Sequence, residues 1–379
     1  MIPLSTILLQ MLQEKIKRPT LLLDKNKCLN NIELMLNKAK ENNIQLRPHF
    51  KTHQSHTIGR WFKNYGIHKI TVSSVRMAEY FAADNWEDIT IAFPHNLHES
   101  EQVAQLAQQI LLNIVVENLE SLQMLCPLLK SKIHIFIKGD TGYNRTGLSI
   151  EKKETIDHLL DYIDSNEHLV FEGFLIHAGH TYQSTSQQSI QKIHQESLQK
   201  IQSFRAIYSG RYPQLTISYG DTPSCSVVNN FDGIDEIRPG NFVFYDLSQW
   251  RISSCSLDQI AVAMACPVVA KHPDRNEAII YGGGVHFSKD RSIHHTGQIY
   301  FGLVAKSTEE GWSTKAEGAY VKSLSQEHGI IQGSSEWLST VHIGDILYIL
   351  PIHSCMTADL MKEYLTTEGV WIRDMLRLT

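Results

Sequence analysis

A lysine in unusual company is the first candidate for chemistry. The stretch RPHFKTHQS places Lys51 among Arg47, His49 and His53, directly after an apolar run that predicts a strand. Most lysines lie on exposed surfaces. At the end of a buried strand, desolvation and the neighbouring cations would favour the neutral form of the amine. A neutral amine is a nucleophile that can form a Schiff base with a carbonyl group.

Two later stretches could hold a phosphate group. GDTPS, at 220–224, offers a turn glycine, hydroxyls and backbone N–H groups, although such a stretch alone is more often an ordinary helix-capping turn. RPGNFVFYD, at 238–246, adds backbone donors and a phenol. The candidate phosphate ligands are Gly220, Thr222, Gly240, Asn241 and Tyr245. A phosphate site together with a Schiff-base lysine points to pyridoxal phosphate, PLP.

The stretch HAGHTY brings titratable groups into one loop. His177, His180 and Tyr182 could act as general acids or bases, or could contact a cofactor ring. Any one of these histidines could instead be satisfied by a backbone carbonyl.

A histidine and a cysteine close the last strong apolar run, ILPIHSC. His353 and Cys355 are two residues apart, so on a strand they would project from the same face. Imidazole and thiolate ligands favour Zn2+ over Mg2+ or Ca2+. Two protein ligands leave positions open for water or substrate, which suits a catalytic metal. The pair alone is also compatible with a buried strand histidine and cysteine.

The elements that must position these residues alternate regularly. From about residue 44, eight β-rich runs alternate with helical stretches, which predicts a (β/α)8 TIM-type barrel. The runs are IQLRPHF, KITVSS, DITIAF, LLNIVV, KIHIFIK, FEGFLIH, QLTISYG and DEIRPG. The candidate residues before about residue 247 follow these runs in the chain. Active sites of such barrels lie at the carboxyl ends of the strands. An earlier run, RPTLLLD at 18–24, is expected to lead into the barrel.

After about residue 247 the pattern changes to strands separated by Gly, Asp and Asn turns. We therefore predict a barrel domain over 18–247 and a mostly-β domain over 248–379, which residues 1–17 join. The N-terminal stretch carries its charges after a short apolar run, an order that favours an amphipathic helix over a secretory signal.

Charge and cysteine usage exclude several functions. A formal net charge of -5 argues against nucleic acid as a partner, and no apolar stretch approaches the length of a membrane span. The six cysteines are scattered without a CxxC spacing, which is typical of reduced thiols in a cytoplasmic protein.

Taken together, these motifs resemble those of fold-type III PLP enzymes. The chain is similar to the D-threonine aldolase and D-serine dehydratase family, whose members are related to alanine racemase. The motifs run in order from about residue 18 to 355: RPTLLLD, LRPHFKTH, DTGYNRTG, HAGHTY, GDTPS, EIRPGNFVFYD, SQEHG and GDILYILPIHSC. LRPHFKTH is the most specific of them, followed by the late His-x-Cys. The resemblance implies an alanine racemase-like barrel, a D-serine dehydratase-like domain and a homodimer.

The resemblance also implies roles for individual residues. Lys51 would bind PLP and serve as the base at the substrate Cα, and Arg145 would contact the phenolic oxygen. Tyr182, with His177, would lie against the ring or substrate. Thr222, Gly240, Asn241 and Tyr245 would hold the phosphate. His353 and Cys355 would bind the metal; cysteine at the second position favours the dehydratases and zinc, whereas the aldolases resemble an aspartate site for manganese.

The expected reaction is conversion of D-serine to pyruvate and ammonia. The nearest alternative is aldol cleavage to glycine and an aldehyde, with His180 as the base. An amino-acid racemase, a non-catalytic PLP carrier and a metal-binding barrel without PLP are further alternatives. His49 and His53 have no assigned role. His286 and Lys289 lie where many relatives have a plainer Gly-rich stretch, which leaves the substrate side of the site open.

Overall fold

The computed structural model describes residues 12–293, 297–308 and 311–377. The chain divides into two compact units, one of residues Glu33–Phe242 and one of Met1–Ile32 with Val243–Thr379. Residues 12–15 are helical, whereas the start of the expected N-terminal helix lies outside the described residues.

The first unit is a parallel barrel. Strands are numbered in chain order, and β1 (Thr20–Leu23) belongs to the other unit. The barrel strands are β2 (Gln45–Leu46), β3 (Lys69–Val72), β4 (Asp88–Pro94), β5 (Leu111–Val116), β6 (Ile133–Gly139), β7 (Leu169–Ile176), β8 (Thr216–Tyr219) and β9 (Glu236–Ile237). They form one eight-stranded sheet of order β2-β9-β8-β7-β6-β5-β4-β3, in which each neighbouring pair is parallel. The predicted eight-stranded barrel is confirmed.

Helices of the barrel unit connect successive strands. They are His56–Asn64, Val75–Ala82, Ser100–Leu106, Leu119–Leu125, Lys153–Asp164, Gln187–Tyr208 and Thr222–Val227. The strands are nearly continuous apolar runs because both faces of a barrel strand are covered. Val115, Phe136 and Leu175 from three adjacent strands pack into one buried cluster.

The barrel has a seam between β2 and β3, the two ends of the sheet order. The ladder of β2 ends at Leu46, yet the chain beyond it stays bonded on both sides. Towards β3, the N–H of Phe50 donates to the carbonyl of Thr71 at 2.8 Å, and the N–H of Thr71 donates to the carbonyl of Pro48 at 2.9 Å. Towards β9, the N–H of His49 donates to the carbonyl of Pro239 at 2.9 Å. The residues just before Lys51 therefore close the sheet.

Arg47 is part of this closure. Its side chain is only 2% exposed; Nε donates to Glu236 at 2.8 Å, and the guanidinium also pairs with Asp88. We expected its charge to act on Lys51, but the structure directs it into the barrel instead. A buried guanidinium requires carboxylate partners, and two strands of the sheet supply them.

The second unit is built on a nine-stranded sheet. Besides β1, the strands of this unit are β10 (Val262–His272), β11 (Glu277–Tyr281), β12 (Ser292–Ile293), β13 (Ile299–Tyr300), β14 (Gly302–Thr308), β15 (Gly311–Leu324), β16 (His328–Gln332), β17 (Ile346–Pro351), β18 (Glu363–Thr366) and β19 (Trp371–Arg373). Of these, β12 and β13 form a separate two-stranded sheet. The sheet order is β11-β16-β15-β14-β17-β10-β1-β18-β19, and β11 also pairs with β10, so six strands form a closed ring. The helices are Leu247–Arg251, Gly284–Phe287, Ser335–Thr340 and Ser354–Met361.

The run RPTLLLD does not lead into the barrel, as we had expected. Its strand β1 pairs antiparallel with β10 and parallel with β18, inside the second sheet. All four residues of β1 are buried, and a fully buried strand carries no signal of which sheet it joins. The helix that follows, Lys25–Glu41, spans the boundary between the units, so this boundary differs from the expected start at residue 18.

Two broader expectations concern the chain as a whole. Within the described ranges, the structure contains no helix long and apolar enough to cross a bilayer. All six cysteines are free thiols.

The buried Arg47 pair yields the first prediction. Arg47→Met should lower the free energy of unfolding by about 3–5 kcal/mol, because it leaves two carboxylates without their buried partner. Arg211→Met is the matched control, since Arg211 also pairs with two aspartates, Asp161 and Asp164, but at the surface. The control should cost about 1 kcal/mol or less. Urea and thermal unfolding measure both, and equal losses in the two variants would contradict the role of Arg47.

Candidate active site

Lys51 lies in the turn that follows the barrel seam. Its backbone N–H faces Nδ1 of His49 at 3.4 Å. The residue is exposed, so the desolvation that the sequence led us to expect does not come from the described residues of this chain. The nucleophile candidate is therefore at the carboxyl end of a barrel strand, as predicted, and open to a ligand.

The two histidines of RPHFKTHQS differ from each other. His53 is buried, its ring stacks on Phe62 at 5.8 Å, and its Nδ1 accepts from the N–H of Ser55 at 3.1 Å. Burial lowers its pKa to about 3, so it is a neutral core residue. His49 is half-buried. Burial first, then the charge of Lys51 and other nearby cations, lower its pKa well below the usual range.

The two candidate phosphate loops meet in the barrel unit. The N–H of Gly240 faces Oγ1 of Thr222 at 3.3 Å, which joins RPGN to GDTPS. A side chain at position 240 would come within 3.0 Å of the His49 carbonyl, and one at Gly220 within 2.8 Å of the Arg238 nitrogen. Both glycines are therefore required by close backbone approach. Gly240 brings the phosphate loop next to the segment that carries Lys51.

The HAGHTY loop is bonded to the same phosphate loop. The N–H of Thr222 donates to the Tyr182 hydroxyl at 3.2 Å, and Nδ1 of His177 is hydrogen-bonded to the carbonyl of Gly220. Thr181 adds a third link, because its hydroxyl donates to the Asp221 carboxylate at 2.9 Å. The carbonyl of Gly220 can only accept, so His177 carries its proton on Nδ1.

Asp221 caps the helix that follows the phosphate loop. Its carboxylate accepts from the N–H of Ser224 at 2.6 Å. Burial raises the pKa of this carboxyl to about 6. The residue was not among our site candidates, although its place inside GDTPS is a helix-capping signal.

Arg145 lies on a loop that is held by a carboxylate of the same loop. Asp140 accepts hydrogen bonds from the N–H groups of Gly142, Tyr143 and Asn144, at 3.0–3.2 Å. The guanidinium carbon of Arg145 lies 5.0 Å from the centre of the Tyr143 ring. We did not single out Tyr143 from the sequence, where it is one of fourteen tyrosines.

Two buried cations lie beneath these loops. Lys138, 5% exposed, donates to the carbonyl of Leu175 at 3.3 Å, and Arg238 donates to that of Ile176. Burial, with the charges of Arg238 and Arg145, lowers the pKa of Lys138 to about 7. Burial lowers the pKa of Arg238 to about 10. This end of the barrel therefore attracts anions, and Arg238, which directly precedes the Pro-Gly of RPGN, was missed.

The histidines here are correspondingly neutral. Burial, then the charge of Lys138, lower the pKa of His177 well below the usual range. Burial also lowers the pKa of His180, whose Nδ1 is buried and has no hydrogen-bond partner in the described part of the chain. A neutral imidazole with an unsatisfied nitrogen can accept a proton from a ligand.

The remaining phosphate candidates are divided between the units. Asn241 follows Gly240 in the barrel unit and is buried. Tyr245 belongs to the second unit and adopts a left-handed backbone, with φ of 47°. For a non-glycine residue this conformation is uncommon and frequently functional.

The metal candidates lie at a helix start rather than on a strand. The last strand of the ring, β17, ends at Pro351; His353 precedes the helix Ser354–Met361, and Cys355 is in its first turn. The expected same-face strand geometry is therefore wrong. The side chains of His353 and Cys355 are nevertheless adjacent, because both lie in the turn where the helix begins. Burial lowers the pKa of His353, but hydrogen bonds with Asp290 and Cys355 outweigh it and raise that pKa to about 11.

Two aspartates support this turn. Oδ2 of Asp290 lies 3.3 Å from Nδ1 of His353, an arrangement typical of metal-binding histidines, whose second nitrogen contacts a carboxylate. Asp246 accepts from the N–H of Ser354 at 3.0 Å and so fixes the residue between the two ligands. Among the described residues, no group of three or more His, Cys, Asp or Glu side chains could hold a metal ion.

The two basic residues that departed from the expected family pattern have partners of their own. Nδ1 of His286 accepts from the N–H of Gly283 at 3.1 Å, and Lys289 donates to the carbonyl of Leu324 at 3.1 Å. Both therefore stabilise the turn after β11.

Comparison with protein families agrees with this geometry. Residues 23–248 match the model of the alanine racemase N-terminal domain, and residues 261–367 match the "Putative serine dehydratase domain". The chain belongs to the alanine racemase N-terminal domain family. The family resemblance and the fold inferred from the motifs are confirmed.

Relatives match this family member along nearly its whole length. It is 28% identical over 364 residues to the D-serine dehydratase of Dictyostelium discoideum, covering 88% of this chain and 89% of the relative. It is 27% identical to the D-threo-3-hydroxyaspartate dehydratase of Delftia sp. (strain HT23), covering 91% and 93%. The solved structure of the Delftia enzyme superposes with a TM-score of 0.86 at 23% identity, covering 96% of this chain and 98% of that one. The D-threonine aldolase of Filomicrobium marinum gives 0.84 at 18% identity, with 95% of each chain covered.

The buried amine of Lys138 yields a pH prediction. Between pH 7 and 10.5 the unfolded chain binds more protons at this lysine than the folded chain, so the stability that it contributes rises with pH. The difference between the thermal midpoint of the wild type and that of Lys138→Met should therefore shift in favour of the wild type as the pH is raised through this window. Lys130→Met, at an exposed site, is the control and should show no such trend. A difference that stays constant or falls with pH would contradict a largely neutral Lys138.

Proposed function

We propose that this protein is a PLP- and metal-dependent lyase that acts on a D-β-hydroxy amino acid, with D-serine as the first candidate substrate. The observation that carries the proposal is the meeting of the Lys51 segment with both phosphate loops, through Gly240. The N–H of Gly240 donates to Oγ1 of Thr222, and the carbonyl of the preceding residue, Pro239, accepts from the N–H of His49. The named activities of the dehydratase relatives support the same reaction class.

The residues present fit PLP. The site offers an exposed lysine amine for an aldehyde, backbone N–H groups and hydroxyls for a phosphate, and buried cations beneath them. Lys51 would hold the aldehyde carbon, Arg145 the phenolic oxygen, and His177 and Tyr182 the ring. The phosphate would be held by Gly220, Thr222, Gly240, Asn241 and Tyr245.

The pair in the second unit fits a divalent metal ion. An imidazole and a thiol, with a carboxylate on the far nitrogen of the imidazole, form a donor set typical of zinc. A solved structure of a D-threo-3-hydroxyaspartate dehydratase with a cysteine replaced by alanine is a metal-free form, which supports a metal in this family. We propose Zn2+ at His353 and Cys355; manganese or another divalent ion is the alternative.

The residues of this chain divide the work of elimination. When bound, PLP supplies an electron sink at Cα and the metal ion supplies Lewis-acid help to the departing hydroxyl. Lys51 removes the Cα proton, because its side chain is exposed in the turn after the strand and open to a ligand. Arg145 and the buried Arg238 hold negative charge at this end of the barrel. Loss of hydroxide from Cβ then leaves an enamine, and water hydrolyses its imine tautomer to an α-keto acid and ammonia.

An aldolase is the second candidate, and one observation favours it. Nδ1 of His180 is buried without a partner in the described chain, so this ring could take a proton from a β-hydroxyl. Cleavage would then break the Cα–Cβ bond and release glycine and an aldehyde. The fold of the Filomicrobium D-threonine aldolase is compatible with this alternative.

Product analysis tests the proposal directly. Purified holo-enzyme with D-serine should yield pyruvate and ammonia in equal amounts, and a panel of D-β-hydroxy amino acids should identify the preferred substrate. Glycine as product would establish the aldolase, and interconversion of D and L forms a racemase. Lys51→Ala should abolish turnover and the visible absorption of lysine-bound PLP, whereas Lys130→Ala, at the surface, should change neither. Lysine-bound PLP without any turnover would indicate a carrier, and no PLP binding would overturn the cofactor.

Metal removal tests the second unit. Dialysis against EDTA should lower the rate by about a hundredfold or more, the equivalent of several kcal/mol of lost charge stabilisation. His353→Ala and Cys355→Ala should lose bound metal in elemental analysis while keeping the visible absorption of PLP. Cys126→Ala, a half-buried thiol of the barrel, is the control and should keep its metal. Full activity in a metal-free His353→Ala variant would contradict a catalytic metal.

Two further expectations rest on the sequence alone, the dimer on the family resemblance and the location on the scattered cysteines. We propose a homodimer, which light scattering on the purified protein tests. We also propose a cytoplasmic location.

A further inference from the structure

We propose that Tyr143 is a positioning residue that holds Arg145 and His180 at a fixed spacing. The inference rests on the proposed function, in which Arg145 contacts the cofactor and His180 lies at the substrate. It adds a residue to which neither the sequence motifs nor the comparisons give a role.

The Tyr143 ring contacts three residues of the candidate site. The guanidinium carbon of Arg145 lies 5.0 Å from the ring centre. The ring of His180 is stacked at 6.1 Å with an interplanar angle of 23°, and that of His177 meets it edge-on at 5.9 Å and 73°. These residues come from two separate loops, after β6 and after β7, so the ring is the common contact between the loops.

The Tyr143 ring requires a glycine, Gly179, in the facing loop. A Cβ at Gly179 would lie 2.4 Å from Cε1 and 2.7 Å from Cζ of Tyr143, distances that no real side chain tolerates. The backbone of HAGHTY therefore packs directly against the phenol ring. Because Gly179 is next to His180, the position of the Tyr143 ring also determines where the imidazole of His180 lies.

Both loops are anchored independently of their contact. On one side, the Asp140 carboxylate accepts the N–H groups of Gly142 and Tyr143, at 3.1 and 3.0 Å. On the other, His177 is bonded to Gly220 and Thr181 to Asp221. The ring is thus held between two fixed backbones.

The chemistry of the contact depends on a flat ring rather than on the hydroxyl. A guanidinium is attracted to the negative face of an aromatic ring, and stacked rings attract through the same charge distribution. Phenylalanine keeps this face, whereas leucine and glutamine do not. A positioning role therefore predicts rescue by phenylalanine.

The test compares Tyr143→Leu and Tyr143→Gln with Tyr143→Phe. Both open-chain replacements should weaken PLP binding about tenfold, from loss of the Arg145 and His180 contacts. They should also lower kcat and shift the pH profile of kcat/KM, because the environment of His180 changes. Tyr143→Phe should restore PLP affinity and the wild-type pH profile. Tyr212→Leu is the matched control: its ring also lies against an arginine, Arg211 at 5.3 Å, but before β8.

Each outcome decides the inference. Wild-type PLP affinity and pH profile in Tyr143→Leu would overturn it. A Tyr143→Phe variant as impaired as Tyr143→Leu would also overturn it, since the hydroxyl and not the ring would then matter. PLP affinity is measured by titrating apo-protein, so it decides the role of Tyr143 even if the wild type shows no lyase activity, a result that would defeat the proposed function alone. Circular dichroism shows that each variant is folded.

Discussion

The buried guanidinium of Arg47 holds together the part of the barrel from which the candidate site extends. It lies directly after β2 and pairs with Asp88 of β4 and Glu236 of β9, next to the seam that the backbone bonds of residues 48–50 close. A buried charge is strongly destabilising when a partner is lost, so this arrangement disfavours other registers of the strand. The next residues bond to both flanking strands, and Lys51 follows at once. The position of the proposed nucleophile is thus a consequence of barrel closure.

A second constraint links loops that are far apart in sequence. Gly240 donates to Thr222, and the adjacent Pro239 accepts from His49. Tyr182 accepts from Thr222, and His177 bonds to Gly220. Loops at the carboxyl ends of barrel strands have little regular structure of their own, so such contacts decide their shapes. The site is preorganised because each loop supplies hydrogen-bond partners for the next.

The segment after β9 contributes to both units. Gly240 belongs to the barrel unit and supports the phosphate loops, whereas Asp246, six residues later, fixes Ser354 between the metal candidates. The proposed cofactor and metal functions are therefore joined by a short stretch of chain. A change within it would alter the support of both sites.

The sequence by itself determined the eight barrel strands, the mostly-β character of the second domain and the family, because apolar periodicity and motif spacing are local properties. It also placed Lys51 correctly at a strand end. Only the tertiary structure decided what each polar residue contacts. Arg47 and His53 flank Lys51 in the chain, but one entered an ion pair and the other an aromatic core. The strand β1 pairs within the second sheet, because a fully buried apolar run does not by itself specify which sheet it joins. Tyr143 lies within DTGYNRTG, but neither that motif nor the sequence around Asp290 predicts what these two residues contact, because the contacts are brought together by folding.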